Sequence, residues 1–337
     1  MPGVPSQPAP ASHLESAVLI AKNSKSLGTW VAGLQERGLR VYVYPSEEVP
    51  DGAVLPDVEF AYLGGSYPDI LEKVSLPNLK AIQCMGAGVN FVLKRPDLNR
   101  PYRVFRVIEP SRCERMAFWN LWAVLNCQRS CEVYRKRQEE GRWDLSVEVG
   151  RFKDNKDFSV GVMGLGSLGG PAAELFARNG YKVSTWTRSR RDMPGITSYA
   201  GKEELAAFLG QLDALVVLLA LTPETQGIVD DKALATLPKG AYVINASRGK
   251  MVVQDDLVAA LDSGHLAGAV LDVTDPEPLP ADHRLWRHPL VRIFPHRATC
   301  ASEDVAESLA VTLDTREKLL SGKPIASELE LNWDLGY

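Results

Sequence analysis

The sequence has 337 residues, of which 45% are hydrophobic and 24% charged, and its formal net charge is −4. This composition is typical of a globular protein, and the length favours two domains. The sequence has no long basic block, which argues against a nucleic-acid or membrane-surface partner. The apolar run ALVVLLAL, residues 214–221, is too short to span a bilayer and is typical of a buried parallel strand.

The N-terminal stretch MPGVPSQPAPASH is rich in Pro, Ala and Ser and lacks the basic and apolar regions of a signal peptide. We predict a disordered tail over residues 1–15 and a cytoplasmic location. The five cysteines are scattered along the chain. An odd number at irregular spacing predicts neither a disulfide framework nor a metal site.

Strand and helix patterns alternate from residue 17 onward. The first predicted strands are AVLIA (17–21), RVYVY (40–44), EFAYLGG (59–65), LKAIQCMGAG (79–88) and YRVFRV (102–107), with the helix TWVAGLQERG (29–38) between the first two. The stretch from Cys113 to Glu140 contains neither Pro nor Gly. Its apolar spacing predicts one long helix leaving the first domain.

A second series of strands begins after Phe158. Its members are VGVM (160–163), YKVSTW (181–186), DALVVLLA (213–220), GAYVINAS (240–247), LAGAVLDV (266–273) and VRIFPH (291–296), with helices between them. This alternation predicts an α/β fold with doubly wound parallel sheets. A last helix within residues 302–321 should return to the first domain. The predicted domains are residues 1–115 with 303–337, and residues 116–302.

The first strand of the second series runs into a Gly-x-Gly-x-x-Gly turn that opens a helix. Gly164 permits the tight turn, Gly166 lets the backbone approach a pyrophosphate, and Gly169 allows close helix–strand packing. Unpaired amides at the helix N-terminus favour an anion. The motif alone is a weak signal, but its place between strand and helix predicts nucleotide binding. The expected contacts are Gly164, Leu165, Gly166, Ser167 and Leu168.

The next strand ends where such units usually carry an acid that binds a ribose 2′-hydroxyl. Here the residues are Thr187, Arg188, Ser189 and Arg190. An acid would repel a 2′-phosphate, whereas arginine binds phosphate bidentately. A solvated basic loop is the alternative. The missing acid together with two arginines predicts NADP(H) as cofactor, with NADH less favoured.

Polar residues follow three later strands, at the edge where ligands bind in open α/β sheets. They are Arg248, Asp272, Glu277 and His296, and each alone could be an ordinary surface or structural residue. Together they suit reduction of a 2-oxo acid. Arg248 would bind the carboxylate and polarise the carbonyl, His296 would protonate its oxygen, and Glu277 would orient the imidazole. Asp272 could accept a hydrogen bond from a carboxamide.

In the first domain, the strand ending at Cys84 runs into a Gly-Ala-Gly loop. Successive amides there could form an anion-binding nest, although a plain glycine turn is equally consistent. Facing Arg248 across an interdomain cleft, the loop would hold a substrate carboxylate from the second side. The expected contacts are Met85, Gly86, Ala87, Gly88 and Val89.

Several stretches, among them GLGSLG, WTRSRRDMPGITSYAGKEELAAFL, LTPETQGIVD, LPKGAYVINASRGKMVVQDDLVAALDSGHLAGAVLDV and LWRHPLV, resemble the D-isomer-specific 2-hydroxyacid dehydrogenases. The similarity is greatest to the bacterial-type glyoxylate/hydroxypyruvate reductase A branch. The resemblance implies a flavodoxin-like substrate domain, an inserted Rossmann coenzyme domain and a homodimer formed through the latter. It implies an Arg–Glu–His catalytic set at Arg248, Glu277 and His296. It also implies further cofactor contacts at Leu221, Pro223, Thr225, Ala246 and Ser247.

The chain departs from the family pattern around the expected substrate end, at Asn90, Phe118, Trp119 and Arg297. The basic loop, the Arg–Glu–His set and the resemblance give the leading interpretation, an NADPH-dependent reductase of glyoxylate or hydroxypyruvate. A reductase of a bulkier 2-oxo acid is the first alternative. The second is a nucleotide-sensing scaffold similar to the C-terminal-binding corepressors.

Overall fold

The computed structural model describes residues 17–21, 25–64, 69–93, 102–144, 152–300 and 305–336, so the tail predicted over residues 1–15 lies outside it. The chain divides into two compact units. The first unit comprises Met1–Ile108 and Ser302–Asp334, and the second comprises Glu109–Ala301 with Leu335–Tyr337. Among the described helices, none has the length and apolarity needed to cross a membrane.

The described part of the first unit contains a five-stranded parallel sheet of order β2-β1-β3-β4-β5. This is the flavodoxin-like order. Apolar side chains cover both faces of the sheet, which explains why its strands are continuous hydrophobic runs. The strands are β1 (Ala17–Ala21), β2 (Arg40–Tyr44), β3 (Val58–Leu63), β4 (Ala81–Cys84) and β5 (Arg103–Arg106), and the helices among them are α1 (Leu27–Gln35), α2 (Ile70–Lys73) and α3 (Asn90–Leu93).

The prediction of one long helix over residues 113–140 is wrong. The structure has α4 (Pro110–Gln128) and α5 (Cys131–Glu139), separated at Ser130. Ser130 has a φ of 51°, in the left-handed region that ends a helix. Pro110 is the first residue of α4, where its fixed φ suits a helix start. The break has no glycine or proline to signal it, so residue pattern alone could not reveal it.

The second unit contains, in its described part, a seven-stranded parallel sheet of order β12-β11-β10-β9-β6-β7-β8. The order in which successive strands are added reverses beside β6: β7 and β8 lie on one side of it and β9 to β12 on the other, as in a Rossmann fold. The prediction of two doubly wound α/β sheets is confirmed. The strands are β6 (Ser159–Met163), β7 (Lys182–Thr187), β8 (Thr197–Ala200), β9 (Ala214–Val217), β10 (Tyr242–Asn245), β11 (Gly268–Leu271) and β12 (Val291–Ile293).

Helices cover both faces of the second sheet, and α4 packs on α6 through small and apolar side chains such as Ala123 and Ala172. The last helix belongs to the first unit. There Leu309 contacts α1 so closely that a Cβ on Gly33 would lie 2.3 Å from its Cδ2. These helices are α6 (Gly169–Arg178), α7 (Leu205–Leu209), α8 (Asp231–Thr236), α9 (Gln254–Asp262) and α10 (Val305–Leu320).

Candidate active site

The glycine-rich turn lies where β6 leaves the sheet between β7 and β9. Gly164 has a φ of 102°, and a Cβ there would lie 2.8 Å from the carbonyl oxygen of Leu218. A Cβ on Gly169 would lie 1.9 Å from the carbonyl oxygen of Gly164. Gly166, in contrast, faces open space. The first and third glycines thus permit the compact turn, and the second leaves the approach to the α6 N-terminus clear for a pyrophosphate.

The basic loop after β7 is held by hydrogen bonds and one ion pair. The Thr187 hydroxyl donates to the Ser189 carbonyl at 2.7 Å, which closes the turn. Arg190 donates to the Ser198 carbonyl and forms an ion pair with Glu204, both at 2.5 Å. Arg188 is exposed. Both arginines predicted to meet a 2′-phosphate are exposed at the end of β7, and Arg190 is paired with Glu204.

Two charged residues near this loop escaped the sequence analysis. Hydrogen bonds from Thr222 and from its own backbone amide lower the pKa of Glu224, and the charges of Arg188 and Lys202 lower it further. Arg188 and Lys202 are therefore near enough to Glu224 for their charges to act on its carboxylate. Glu224 and Lys202 both lie in stretches that resemble the family, but neither was expected to take part in the site.

The turn after β9 carries three of the predicted cofactor residues. The Thr225 hydroxyl donates to the Ala220 carbonyl at 2.7 Å and accepts from the Thr222 amide at 2.8 Å. Leu221 and Pro223 flank this hydrogen-bonded turn. The turn therefore has a fixed backbone conformation at the carboxyl end of β9, one strand from the glycine-rich turn.

Arg248 follows β10 on a loop that the Asn245 side chain organises. Asn245 is 1% exposed, and its amide donates to the Arg248 carbonyl at 3.0 Å while its oxygen accepts from the amide and hydroxyl of Ser247 at 3.1 and 2.9 Å. The Arg248 guanidinium donates to the Ser247 carbonyl at 2.7 Å. Burial lowers the pKa of Arg248, and the charge of Glu277 opposes this effect. The charge of Glu277 therefore acts on the Arg248 guanidinium. Ala246 and Ser247, both buried, are fixed by the same loop.

His296 and Glu277 form a direct pair. Nδ1 of His296 lies 2.6 Å from Oε1 of Glu277, and the two side chains are 46% and 42% exposed. The backbone of His296 has a φ of 56°, which a non-glycine residue adopts only when its surroundings hold it there. With Nδ1 directed at the carboxylate, Nε2 is the ring nitrogen left for exchange with a substrate.

Asp272 holds the loop that carries His296. Asp272 is 1% exposed, and its two carboxylate oxygens accept from the backbone amides of Arg297 and Ala298 at 2.6 and 3.0 Å. Its carbonyl accepts from the His296 amide at 2.8 Å. The contact between Asp272 and a carboxamide stays a prediction; within the protein, the side chain accepts from the amides that follow the histidine. The Asp272 side chain therefore stabilises the strained conformation of His296.

The glycine loop of the first unit follows β4. The Met85 amide donates to the Leu63 carbonyl at 2.9 Å, and the Gly86 carbonyl accepts from the Val107 amide at 3.3 Å. These contacts anchor the start of the loop to both neighbouring strands, and Val89 buries its end in the core. The loop therefore has a defined place at the carboxyl edge of the first sheet. The side chain of Asn90 lies outside the described part.

Two of the residues that depart from the family pattern contact the second sheet. Trp119 packs edge-on against Phe294, with ring centroids 5.6 Å apart, two residues before His296. Arg297 is exposed apart from its amide, which donates to Asp272. Phe118 points outward and is 54% exposed. Trp119 thus supports the strand that leads to the histidine.

The Rossmann-type sheet, its open glycine-rich turn and the reactive groups at neighbouring strand ends define the second unit as the dinucleotide-binding part of an oxidoreductase. Residues 121–298 match the family model described as "D-isomer specific 2-hydroxyacid dehydrogenase, NAD binding domain". The chain belongs to the D-isomer specific 2-hydroxyacid dehydrogenase family.

Solved structures of this family resemble the chain over nearly its whole length. A family member from Xanthobacter autotrophicus Py2, in complex with NADPH and MES, is 33% identical with a TM-score of 0.86, over 96% of this chain and 100% of that one. An NADPH-dependent glyoxylate/hydroxypyruvate reductase from Sinorhizobium meliloti, with NADP and sulfate, is 33% identical with a TM-score of 0.83, over 96% and 100%. A family protein from Klebsiella pneumoniae 342 is 36% identical with a TM-score of 0.80, over 94% and 97%.

Proposed function

We propose that this protein reduces a small 2-oxo acid, glyoxylate or hydroxypyruvate, to the 2-hydroxy acid with NADPH. The observation that carries the proposal is the 2.6 Å contact between His296 and Glu277, the latter a carboxylate whose charge acts on Arg248. The similarity to an NADPH-dependent glyoxylate/hydroxypyruvate reductase supports the substrate class.

The three side chains have separate tasks in this reaction. Arg248 binds the substrate carboxylate through its planar fork and polarises the carbonyl that is reduced. His296 donates a proton from Nε2 to the carbonyl oxygen, while Glu277 accepts from Nδ1–H and holds the ring in orientation. NADPH, when bound, supplies the hydride. We propose the glycine loop Met85–Val89 of the first unit as an anion-binding loop, because successive glycine-rich amides suit an anion.

The residues present fit NADPH. The open space at Gly166 leaves room for a pyrophosphate at the N-terminus of α6. Arg188 and Arg190 supply two exposed guanidiniums at the strand end where a 2′-phosphate is expected. The relatives that contain NADPH or NADP support the same choice.

The test combines a substrate panel with His296→Gln. NADPH oxidation is followed with glyoxylate, hydroxypyruvate and branched or aromatic 2-oxo acids. We expect activity on the two small acids, and a loss of kcat on the order of 10²–10⁴-fold in His296→Gln with NADPH affinity nearly unchanged. The matched control is His265→Gln, because the His265 ring contacts only a backbone carbonyl, that of Leu234 at 3.1 Å, among the hydrogen bonds of the described residues.

Each outcome points to one conclusion. Full turnover in His296→Gln would remove the histidine from the mechanism. Activity confined to branched or aromatic 2-oxo acids would overturn the substrate and leave the hydride transfer intact. NADPH binding without oxidation on any 2-oxo acid would favour a nucleotide-sensing scaffold.

We also propose a homodimer formed through the second unit. Phe118, Trp122 and Leu125 lie at helical spacing on one face of α4 and are 54%, 39% and 39% exposed. A continuous apolar stripe of this kind marks an association surface. Light scattering should give a dimer mass for the wild type and a monomer mass for Phe118→Glu with Leu125→Glu. Val54→Glu, at an exposed valine of the first unit, is the control. A wild-type monomer would refute the proposal.

A further inference from the structure

The segment that carries Arg248 and the loop that carries Glu277 belong to different strand connections, after β10 and β11. We propose that Gln254 is a positioning residue that fixes the Glu277 loop relative to Arg248. Gln254 is the first residue of α9, six positions after Arg248 in the sequence. This inference rests on the proposed function, because the value of the arrangement depends on the roles of Arg248 and Glu277.

The side chain of Gln254 pairs with both backbone polar groups of one residue in the Glu277 loop. Its Nε2 donates to the Asp275 carbonyl at 2.5 Å, and its Oε1 accepts from the Asp275 amide at 3.1 Å. The carboxamide thus makes the two hydrogen bonds that a neighbouring strand would make. Because the N–H and the carbonyl of Asp275 are both held, the backbone has little freedom to rotate at this residue, two positions before Glu277.

A second contact joins the same two segments. Gly249 follows Arg248, and a Cβ built there would lie 1.9 Å from the Thr274 carbonyl oxygen and 2.6 Å from the Asp275 amide nitrogen. The two backbones therefore touch beside Arg248. The absence of a side chain at Gly249 lets the two backbones come into contact, and Gln254 adds directional hydrogen bonds between the two segments.

Gln254 is itself rigidly placed. The helix it begins buries Leu257, Val258 and Leu261 in the core of the second unit. The amide of the preceding Val253 donates to the Val229 carbonyl at 3.0 Å. Movement at Gln254 would disturb these contacts, so the pairing transmits the position of α9 to the Glu277 loop.

The chemistry of the pairing is specific to a glutamine side chain. Glutamate at this position could accept from the Asp275 amide but could not donate to its carbonyl. Leucine has a similar size and offers neither bond. The consequence of losing the pairing is a wider distribution of Glu277 positions, and a larger share of molecules in which His296 lacks its 2.6 Å partner.

The test is a double-mutant cycle between Gln254→Leu and Glu277→Gln, with NADPH oxidation as the assay. In the wild-type background, we expect Gln254→Leu to lower kcat about tenfold and to leave the KM for NADPH nearly unchanged. Gln254→Glu, which keeps one of the two hydrogen bonds, should lose less kcat than Gln254→Leu. In the Glu277→Gln background, Gln254→Leu should have little further effect. Gln211→Leu is the matched control, because Gln211 is also half-buried and donates to the Tyr199 hydroxyl at 2.7 Å outside this site.

The results separate the inference from the function on which it rests. An equal fall of kcat in both backgrounds, or unchanged kcat in Gln254→Leu while Glu277→Gln is impaired, would overturn the positioning role alone. Unchanged kcat in Glu277→Gln would overturn the role proposed for Glu277, and the inference with it. No NADPH oxidation by the wild type with any 2-oxo acid would overturn the proposed function. If Gln254→Leu does not fold, Gln254→Glu in the two backgrounds gives the same comparison.

Discussion

Replacing Asp272 by asparagine tests whether the loop that carries His296 is held by a buried carboxylate. Asp272 uses both oxygens, one for the Arg297 amide at 2.6 Å and one for the Ala298 amide at 3.0 Å. Asparagine has one acceptor oxygen, and its NH2 group would face a backbone N–H. The substitution keeps the size of the side chain and removes one charge-assisted hydrogen bond.

The expected magnitude follows from these two contacts. A hydrogen bond to a charged group contributes about 1.5–3 kcal/mol, and the left-handed backbone at His296 costs on the order of 1–2 kcal/mol. Losing about 2–3 kcal/mol from the loop corresponds to a shift of roughly 30- to 150-fold in its equilibrium. We therefore expect kcat to fall by up to about 100-fold. If the same amount is lost from the free energy of global unfolding, Tm should drop by roughly 4–12 °C, since a domain of this size loses about 2–4 °C per kcal/mol.

The measurements are NADPH oxidation with glyoxylate and thermal unfolding, with amide hydrogen exchange at Arg297 and Ala298 as the local readout. Asp282→Asn is the control, because Asp282 is exposed in the same unit. Unchanged kcat, Tm and exchange would refute the reasoning. A higher KM for NADPH at unchanged Tm would instead favour the carboxamide contact expected from the sequence.

Three further predictions concern charged groups. Arg248→Lys keeps the charge but loses the planar fork, so kcat/KM for the 2-oxo acid should fall at least about tenfold, and further in Arg248→Ala; equal activity in all three proteins would exclude the carboxylate role. Arg188→Ala and Arg190→Ala should each raise the KM for NADPH about tenfold while leaving the KM for NADH unchanged, because each removes a cation from the loop expected to meet the 2′-phosphate; an equal change with both cofactors would exclude that role. Burial alone would raise the pKa of Glu132, but hydrogen bonds and charges from Arg292 and Arg135 lower it below its usual value. A carboxylate whose pKa is lowered by folding stabilises the folded state at pH values above its pKa in the unfolded chain, and this stabilisation is lost as the pH falls through its pKa in the folded protein. Glu132→Gln should therefore make Tm fall less steeply below about pH 4.

The alternation of apolar and polar segments was sufficient to predict both parallel sheets. Fully buried parallel strands are continuous apolar runs, and AVLIA and DALVVLLA are of that kind. The same logic missed β8, whose four residues TSYA are partly exposed at the edge of the sheet. It also missed the break at Ser130, since the residue in the left-handed conformation there is not a glycine.

The sequence pattern predicts where the candidate site residues lie along the strands, but not which residues they contact. The carboxyl ends of parallel strands share one edge of a sheet, so the sequence sufficed to expect Arg248, Glu277 and His296 there. The partners of Asp272 and Arg190 depend on loop conformations far apart in the sequence: Arg190 meets Glu204, and Asp272 meets amides 25 and 26 residues later. No local pattern encodes such pairings.

Burial separates two kinds of polar residue at these strand ends. Asn245 and Asp272 end the neighbouring strands β10 and β11, and both are 1% exposed. A polar side chain so deeply buried needs hydrogen-bond partners within the protein. Asn245 binds the backbone of the loop that follows β10, and Asp272 binds the backbone of the loop that carries His296. His296 and Glu277 are nearly half exposed and can therefore meet a substrate. The buried pair fixes the loops, and this leaves the exposed side chains free to carry the chemistry without also stabilising their own backbone.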